Sequence, residues 1–250
     1  MRTLSTILSL VFIVSCKTEF RKTIEKYPDG SISIEYIYPD KSDTKSFTYF
    51  AYYLNGQPLF QSKVVDMKFV DQKRNYYDNG KIESIETLAK PTSFDDSLYD
   101  CQIKKCRKDG TLIESYEYKN GKIDGLVNSY DSSGKLLETY QYRDGIRDGE
   151  MIGYFADGKI RSKGYYKNDT MFGYYYLFKQ NGDTSKYCSH NKSGDIALPY
   201  KKWLDNGLVM TGNYINPEHT RALWQWFDKN NKEVKRKVTN ETDVGLVAPE

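Results

Sequence analysis

The chain has 250 residues, with 37 Lys and Arg against 34 Asp and Glu, a net charge of +3. So even a balance gives no electrostatic basis for binding nucleic acid or an acidic membrane surface. Hydrophobic residues make up only 38%, yet tyrosine alone contributes 23. That is too lean for a compact two-layer domain and suits an extended β protein whose surfaces are half wet and half packed.

The first element is a targeting segment. Arg2 gives it a positive start, and residues 4–14 form an apolar run broken only by Ser5, Thr6 and Ser9. The run is shorter than the roughly 20 residues a bilayer-spanning helix needs but fits a secretory signal. It closes on Ile13, Val14, Ser15 and Cys16, which resembles the lipobox of bacterial lipoproteins. The resemblance implies cleavage after residue 15 and acylation of Cys16, with an ordinary signal peptide as the alternative. Three acyl chains would anchor the protein firmly, since two already suffice. Lys17 resembles the residue after the anchor in lipoproteins sorted to the outer membrane. The expected layout is a signal peptide (1–15), an anchor linker (16–24), one repeat domain (25–238) and a loose tail (239–250).

From there a repeat takes over. Gly110, Gly134, Gly158 and Gly182 are 24 residues apart, as are Gly56 and Gly80; Gly207 follows after 25, and Asn231 takes the glycine place 24 later. A second comb, Gly125, Gly149 and Gly173, keeps the same interval. Four residues before the main glycines stand Tyr52, Tyr76, Tyr130, Tyr154, Phe178, Trp203 and Phe227, with Cys106 the exception. A fixed period of this length predicts a repeat architecture in which each unit completes its core against its neighbours.

One unit, residues 126–149, reads as strand, turn (Asp131, Ser132, Ser133, Gly134), return strand and second turn. Other copies carry Asn-Gly or Asp-Gly at the turn, strong hairpin signals. The predicted fold is therefore all-β: an elongated single antiparallel sheet of stacked hairpins of about 24 residues. With strands ~4.8 Å apart, about eight repeats make a ribbon on the order of 80 Å long. Strand parity predicts that the second, sixth and eighth residues after the turn glycine share the packed face. Those places hold Leu112, Tyr116 and Tyr118, then Leu136, Tyr140 and Tyr142. Intervening places, such as Glu117, Gln141, Arg161 and Lys163, are polar.

The runs Tyr77-Asp78-Asn79-Gly80-Lys81-Ile82, Ser133-Gly134-Lys135-Leu136 and Phe155-Ala156-Asp157-Gly158-Lys159-Ile160 resemble the MORN repeat. The closest likeness is to the bacterial variant found in YwqK-like antitoxins, strongest over residues 106–182. The resemblance implies an interaction scaffold, sometimes membrane-attached, and no catalytic motif.

Departures from the rhythm mark candidate sites. Residues 89–105 hold an insertion with Pro91, Phe94, Asp95 and Asp96, expected as a long exposed loop or a partner-binding finger. Residues 215–222 break the period before Leu223-Trp224-Gln225-Trp226-Phe227, a strand expected to cap the stack, with exposed anchor rings as the alternative. Tyr174, Tyr175 and Tyr176 are consecutive, so at least one ring must meet the polar face. The candidate binding residues are therefore Tyr174, Tyr175, Tyr176, Trp224 and Trp226.

Catalytic chemistry is not signalled. Of the two histidines, His190 follows Cys188 by two places, one strand face with ~7 Å between Cα atoms and no third orienting group. No spacing points to a metal site or a cofactor. The expectation is a non-enzymatic, lipid-anchored envelope scaffold with a protein partner, antitoxin- or immunity-like; the alternative is a binder of glycan or envelope polymer. The mature chain is expected to keep three free thiols, with Cys101–Cys106 as the one feasible disulfide. Replacing Cys16 by Ala is expected to abolish labelling with radioactive palmitate; equal labelling in the variant would refute acylation at this residue.

Overall fold

The computed structural model describes residues 19–96, 98–216 and 221–240. Within them every regular element is a strand, and all belong to one antiparallel sheet of 21 strands. The first half comprises β1 (Phe20–Lys26), β2 (Ile32–Tyr38), β3 (Ser46–Tyr52), β4 (Pro58–Val65), β5 (Lys68–Tyr76), β6 (Ile82–Leu88), β7 (Thr92–Ser93), β8 (Cys101–Cys106), β9 (Leu112–Lys119) and β10 (Lys122–Ile123). The second comprises β11 (Gly125–Tyr130), β12 (Leu136–Arg143), β13 (Ile146–Tyr154), β14 (Ile160–Lys167), β15 (Thr170–Met171), β16 (Gly173–Phe178), β17 (Thr184–His190), β18 (Ile196–Trp203), β19 (Val209–Tyr214), β20 (Arg221–Phe227) and β21 (Glu233–Asn240). Each long strand pairs with the next along the chain, as stacked hairpins require. The two-residue strands β7, β10 and β15 extend existing rows. That leaves 18 of the 21 as successive rungs, about 80 Å of sheet at ~4.8 Å per strand.

The sheet begins inside the expected linker, because Phe20 to Lys26 pair with β2, and it runs to Asn240. Cys16, His219 and residues 241–250 lie outside the described residues.

The main glycines close four-residue turns. Gly134, for example, donates its N–H to the carbonyl of Asp131 at 3.1 Å, and Asp131 donates its own to Lys135 at 2.9 Å. Asn231 fills the same role with φ of 60°, a left-handed conformation that asparagine tolerates better than most residues. The opposite edge turns differently. Asp66-Met67, Asn120-Gly121, Asp144-Gly145 and Asn168-Asp169 all have positive φ at both positions, as two-residue hairpin turns of the I′ type demand.

A bulge after the main turns corrects the parity rule. Tyr130 opposes Leu136 while Ser129 opposes Glu138, leaving Leu137 as the extra residue. The same slip follows Tyr52, Tyr76, Tyr154, Phe178 and Phe227. Directly opposed residues share a face, so the residue two after the glycine joins the ring four before it. Only the sixth and eighth places keep the packed face, and the fourth joins them. Arg161 is itself the extra residue of its bulge and reaches Glu138 at 3.0 Å across that face.

The packed face covers itself. Successive direct partners across nine strands are Glu138, Gly153, Ser162, Leu177, Lys186, Lys202, Met210, Trp226 and Lys235. Large side chains lie over small ones on the next strand. A Cβ at Gly212 would stand 2.6 Å from Trp224 Cζ3, and one at Gly164 2.9 Å from Tyr175 Cδ2. Two buried clusters result: Cys188, Leu198, Tyr200, Met210, Ala222, Trp224 and Trp226 near the C-terminal end, and Tyr38, Phe47, Val64 and Phe69 near the N-terminal end.

Residues 89–96 and 98–100 fold back instead of projecting. Thr92 pairs with Phe69 in β5, and the Phe94 ring lies 4.4 Å from that of Phe69. Tyr99 bonds Glu86 at 2.6 Å and covers the ammonium of Lys73 at 4.0 Å. The insertion therefore thatches the packed face.

Turn edges are stapled where the sequence allows it. Tyr27, Tyr53 and Tyr77 donate their hydroxyls to the backbone carbonyls of Tyr52, Tyr76 and Cys106 one repeat on, at 2.7 to 2.8 Å.

Gly212→Ala is expected to lower stability by about 1–3 kcal/mol, because the methyl must displace a packed indole. A urea unfolding midpoint equal to that of the parent protein would contradict this packing.

Candidate binding face

The open face carries side chains that the packing does not consume. Along β16, Tyr174 and Tyr176 point to it and Tyr175 to the opposite side. This follows from the register: Tyr176 opposes Lys163 and Tyr187, while Tyr175 opposes Cys188 on the packed face. Glu150 opposes Tyr165, and Tyr187 opposes Lys201, on the same open side. The rings meet one another: Tyr174–Tyr176 centroids are 6.3 Å apart, Tyr174–Tyr187 6.4 Å, Tyr176–Tyr187 5.9 Å and Tyr176–Phe178 6.3 Å. Tyr174 is 52% exposed and Tyr165 41%. Lys163, paired with Glu150 at 2.6 Å, flanks the patch on one side. On the other side stands Lys201, whose ammonium lies 4.7 Å from the Trp203 ring centre.

The remaining predicted site residues are placed elsewhere. Tyr175 lies over Gly164, edge-on to His190 at 6.1 Å. Trp224 and Trp226 are 5% and 4% exposed, and the Trp224 indole donates to Thr239 Oγ1 at 3.0 Å. Alternation along β20 turns both indoles to the packed face, so they fill the core and offer no ring to a partner. Their strand is the penultimate rung, with β21 beyond it. Tyr165 and Tyr187 were not singled out from the sequence. Their signal was available in their places seven and five after Gly158 and Gly182, the odd offsets that reach the open face.

Two adjoining hollows of about 260 and 390 Å³ lie across β6, β8, β9 and β11 and share Gln102 and Glu117. Leu126, 53% exposed, lines the first beside Lys104, Ser115 and Asn128.

Titratable groups on both faces are shifted chiefly by burial. The His190 imidazole is held below its usual pKa, chiefly by desolvation, and its Nδ1 has no hydrogen-bond partner. Lys73 is lowered for the same reason, against the opposing pull of Glu86. Tyr52 is pushed up to about 12 by burial and its bond to Glu35. Cys101, Cys106 and Cys188 are unpaired thiols, and burial pushes Cys101 up to about 11. Among the described residues no three His, Cys, Asp or Glu side chains gather as metal ligands, and no helix is long and apolar enough to cross a membrane.

The Cys101 shift has a definite sign. A thiol that ionises near 9 when unfolded and about 11 when folded makes stability fall as pH rises between those values. The urea midpoint is expected to drop from pH 8.5 to pH 10.5, and Cys101→Ala to reduce that drop. An identical drop in the variant would show that folding does not shift the ionisation of this thiol.

Three segments of the chain, residues 73–89, 123–144 and 147–168, match the MORN repeat variant. Each contains a main-turn glycine: Gly80, Gly134 and Gly158. The match includes the run at residues 77–82, outside the stretch of strongest expected likeness, and within that stretch leaves 106–122 and 169–182 unmatched. No curated protein matches the chain. Among solved structures, the Tc holotoxin pore of Photorhabdus luminescens carrying the TccC3-D651A mutation is similar over 86% of this chain and 14% of its own, at 10% identity and a TM-score of 0.22.

Proposed function

We propose that this protein is a lipid-anchored scaffold of the bacterial cell envelope, attached through Cys16 and sorted to the outer membrane, that binds another protein without catalysing a reaction. The observation that carries the reading is the open-face patch of Tyr165, Tyr174, Tyr176 and Tyr187. Four phenol rings gathered on one side of a sheet, two of them well exposed, are of the kind that dominates binding energy at protein interfaces. The MORN repeat match supports a scaffold, because stacked repeats offer long continuous surfaces. An antitoxin- or immunity-like role, gripping and silencing a partner, is the specific form of this reading.

A second reading, binding of glycan or envelope polymer, is favoured by the hollows across β6, β8, β9 and β11, separated from the patch by β12 and β13. Gln102, Ser115, Glu117 and Asn128 supply the donors and acceptors that sugar hydroxyls require.

Capture of partners from detergent-solubilised envelopes tests the first reading. Tyr174→Ala and Tyr165→Ala are expected to weaken capture about tenfold each while leaving the unfolding midpoint nearly unchanged. Tyr175→Ala, by contrast, should lower the midpoint, because its ring fills space over Gly164. Unchanged capture in the Tyr165 and Tyr174 variants, with tyrosine fluorescence quenched by envelope glycan, would favour the second reading.

A further inference from the structure

The rings four places before the turn glycines form a row of their own, which the tyrosine patch touches only at Phe178. The residue before each ring lies on the packed face, as Gly153, Leu177 and Trp226 do, so the rings stand on the open one. Their direct partners from Tyr52 to Phe178 are Pro58, Ile82, Leu112, Leu136, Ile160 and Thr184, with Cys106 in place of one ring. The row continues from repeat to repeat. Glu138 opposes Gly153, which makes the adjacent residues Leu137 and Tyr154 neighbours, and beyond Trp203 the row passes through Val209 to Phe227. Rings therefore recur on every second rung, about 10 Å apart.

These rings lie along the sheet. The hydroxyls of Tyr52 and Tyr76 donate to Glu35 and Gln61 at 3.0 and 2.6 Å, and that of Tyr130 meets Ser115 Oγ at 3.4 Å. Each partner sits on the strand before, so the ring is held at both ends and turns one side outward. Planes agree within a strand: Phe50 and Tyr52 are 13° apart, and Tyr176 and Phe178 16°. Every ring of the row is half-buried, as a ring lying on the sheet must be. Leu137 and Ile160, between the rings, are 39% and 42% exposed. The rings and their direct partners carry no charge from Tyr52 to Thr184.

We infer, within the polymer-binding reading above, that this row is a platform for an uncharged β-1,4-linked glycan laid lengthwise along the ribbon, one disaccharide to each ring. Aromatic side chains offer a broad apolar surface, on which a pyranose packs its C–H side. An extended β-1,4 chain turns the same side of every second sugar the same way, at the ~10 Å interval of the rungs. Charge complementarity argues for a neutral polymer, because an uncharged row gives no hold to an anionic one. Spacing argues against a peptide, whose same-side residues recur every ~7 Å and fall out of step. The sheet twists by about 20–25° per strand, and rotation at the glycosidic bonds lets the chain follow. The Lys201 ammonium lies over Trp203 at 4.7 Å, so the longest run of uncovered rings is Tyr130, Tyr154 and Phe178.

The test titrates the full lipidated chain in detergent with cello-oligosaccharides and chito-oligosaccharides of two to eight units, followed by intrinsic fluorescence. In the series that binds, affinity is expected to rise several-fold with every second unit, as each disaccharide gains a ring. Cys106→Tyr supplies the missing ring. It should tighten the octasaccharide at least threefold and the tetrasaccharide less than twofold, a gain that loss of folding cannot produce. Tyr154→Ala should weaken the hexasaccharide about tenfold, and Tyr174→Ala less than twofold. Malto-octaose, whose α-1,4 linkages curl the chain, and anionic polygalacturonate should not bind. Binding of either at the strength of the β-1,4 series, an even gain with each single unit, or an octasaccharide indifferent to Cys106→Tyr would overturn the inference. Failure of both β-1,4 series, with envelope glycan still quenching tyrosine fluorescence, would sink this row and leave the polymer-binding reading standing.

Discussion

A single antiparallel sheet has to cover its own packed face, and this constraint explains most of the chain. No second layer of strands or helices lies against it among the described residues. Apolar surface is instead removed from water by laying rings sideways over neighbouring strands. That works only where the neighbour is small. Trp224 occupies the space above Gly212, and Tyr175 the space above Gly164. Each repeat thus completes the cover of the last, so the sheet is stable as a stack while an isolated hairpin would not be. Phe94 and Tyr99 of the insertion serve the same need where the strands alone leave Phe69 and Lys73 uncovered.

Because one face is used up in this way, function falls to what is left. The open face keeps aromatic rings that no second layer consumes, and they gather on β14, β16 and β17. At the first turns, tyrosine hydroxyls are taken up by hydrogen bonds between repeats, which tie successive rungs together. A binding role spread over a rigid face is consistent with both facts. Cys188 is instead buried and His190 half-buried on the packed side, where desolvation works against their charged forms.

The two ends of the ribbon also differ. Near the N-terminal end the packed face closes over Phe47 and Val64 with aromatic neighbours, while the C-terminal end combines buried indoles with lysines laid over aromatic rings. Both terminal strands carry basic side chains, including Arg21, Lys22, Lys235 and Lys237. Such charges oppose edge-to-edge pairing of copies.

The sequence by itself determined the architecture. Glycines 24 residues apart and Asn-Gly turns leave no alternative to stacked hairpins, because left-handed turn positions and alternating strands are local properties. It also placed Tyr116, Tyr118, Tyr140 and Tyr142 correctly on the packed face, since strand parity is local too. Only the tertiary structure decided three things. The bulge after the turns at Gly56, Gly80, Gly110, Gly134, Gly158 and Gly182 reversed the residue two after the glycine, because an extra residue in one strand shifts parity in a way that composition does not record. The fate of each ring depended on its face: Trp224 and Trp226 turn to the packed face, where Gly212 leaves room for the first, whereas Tyr174 turns to the open face and stays exposed. The meeting of Lys186 with Lys202, sixteen residues apart, was set by strand pairing, a long-range register that no local pattern contains.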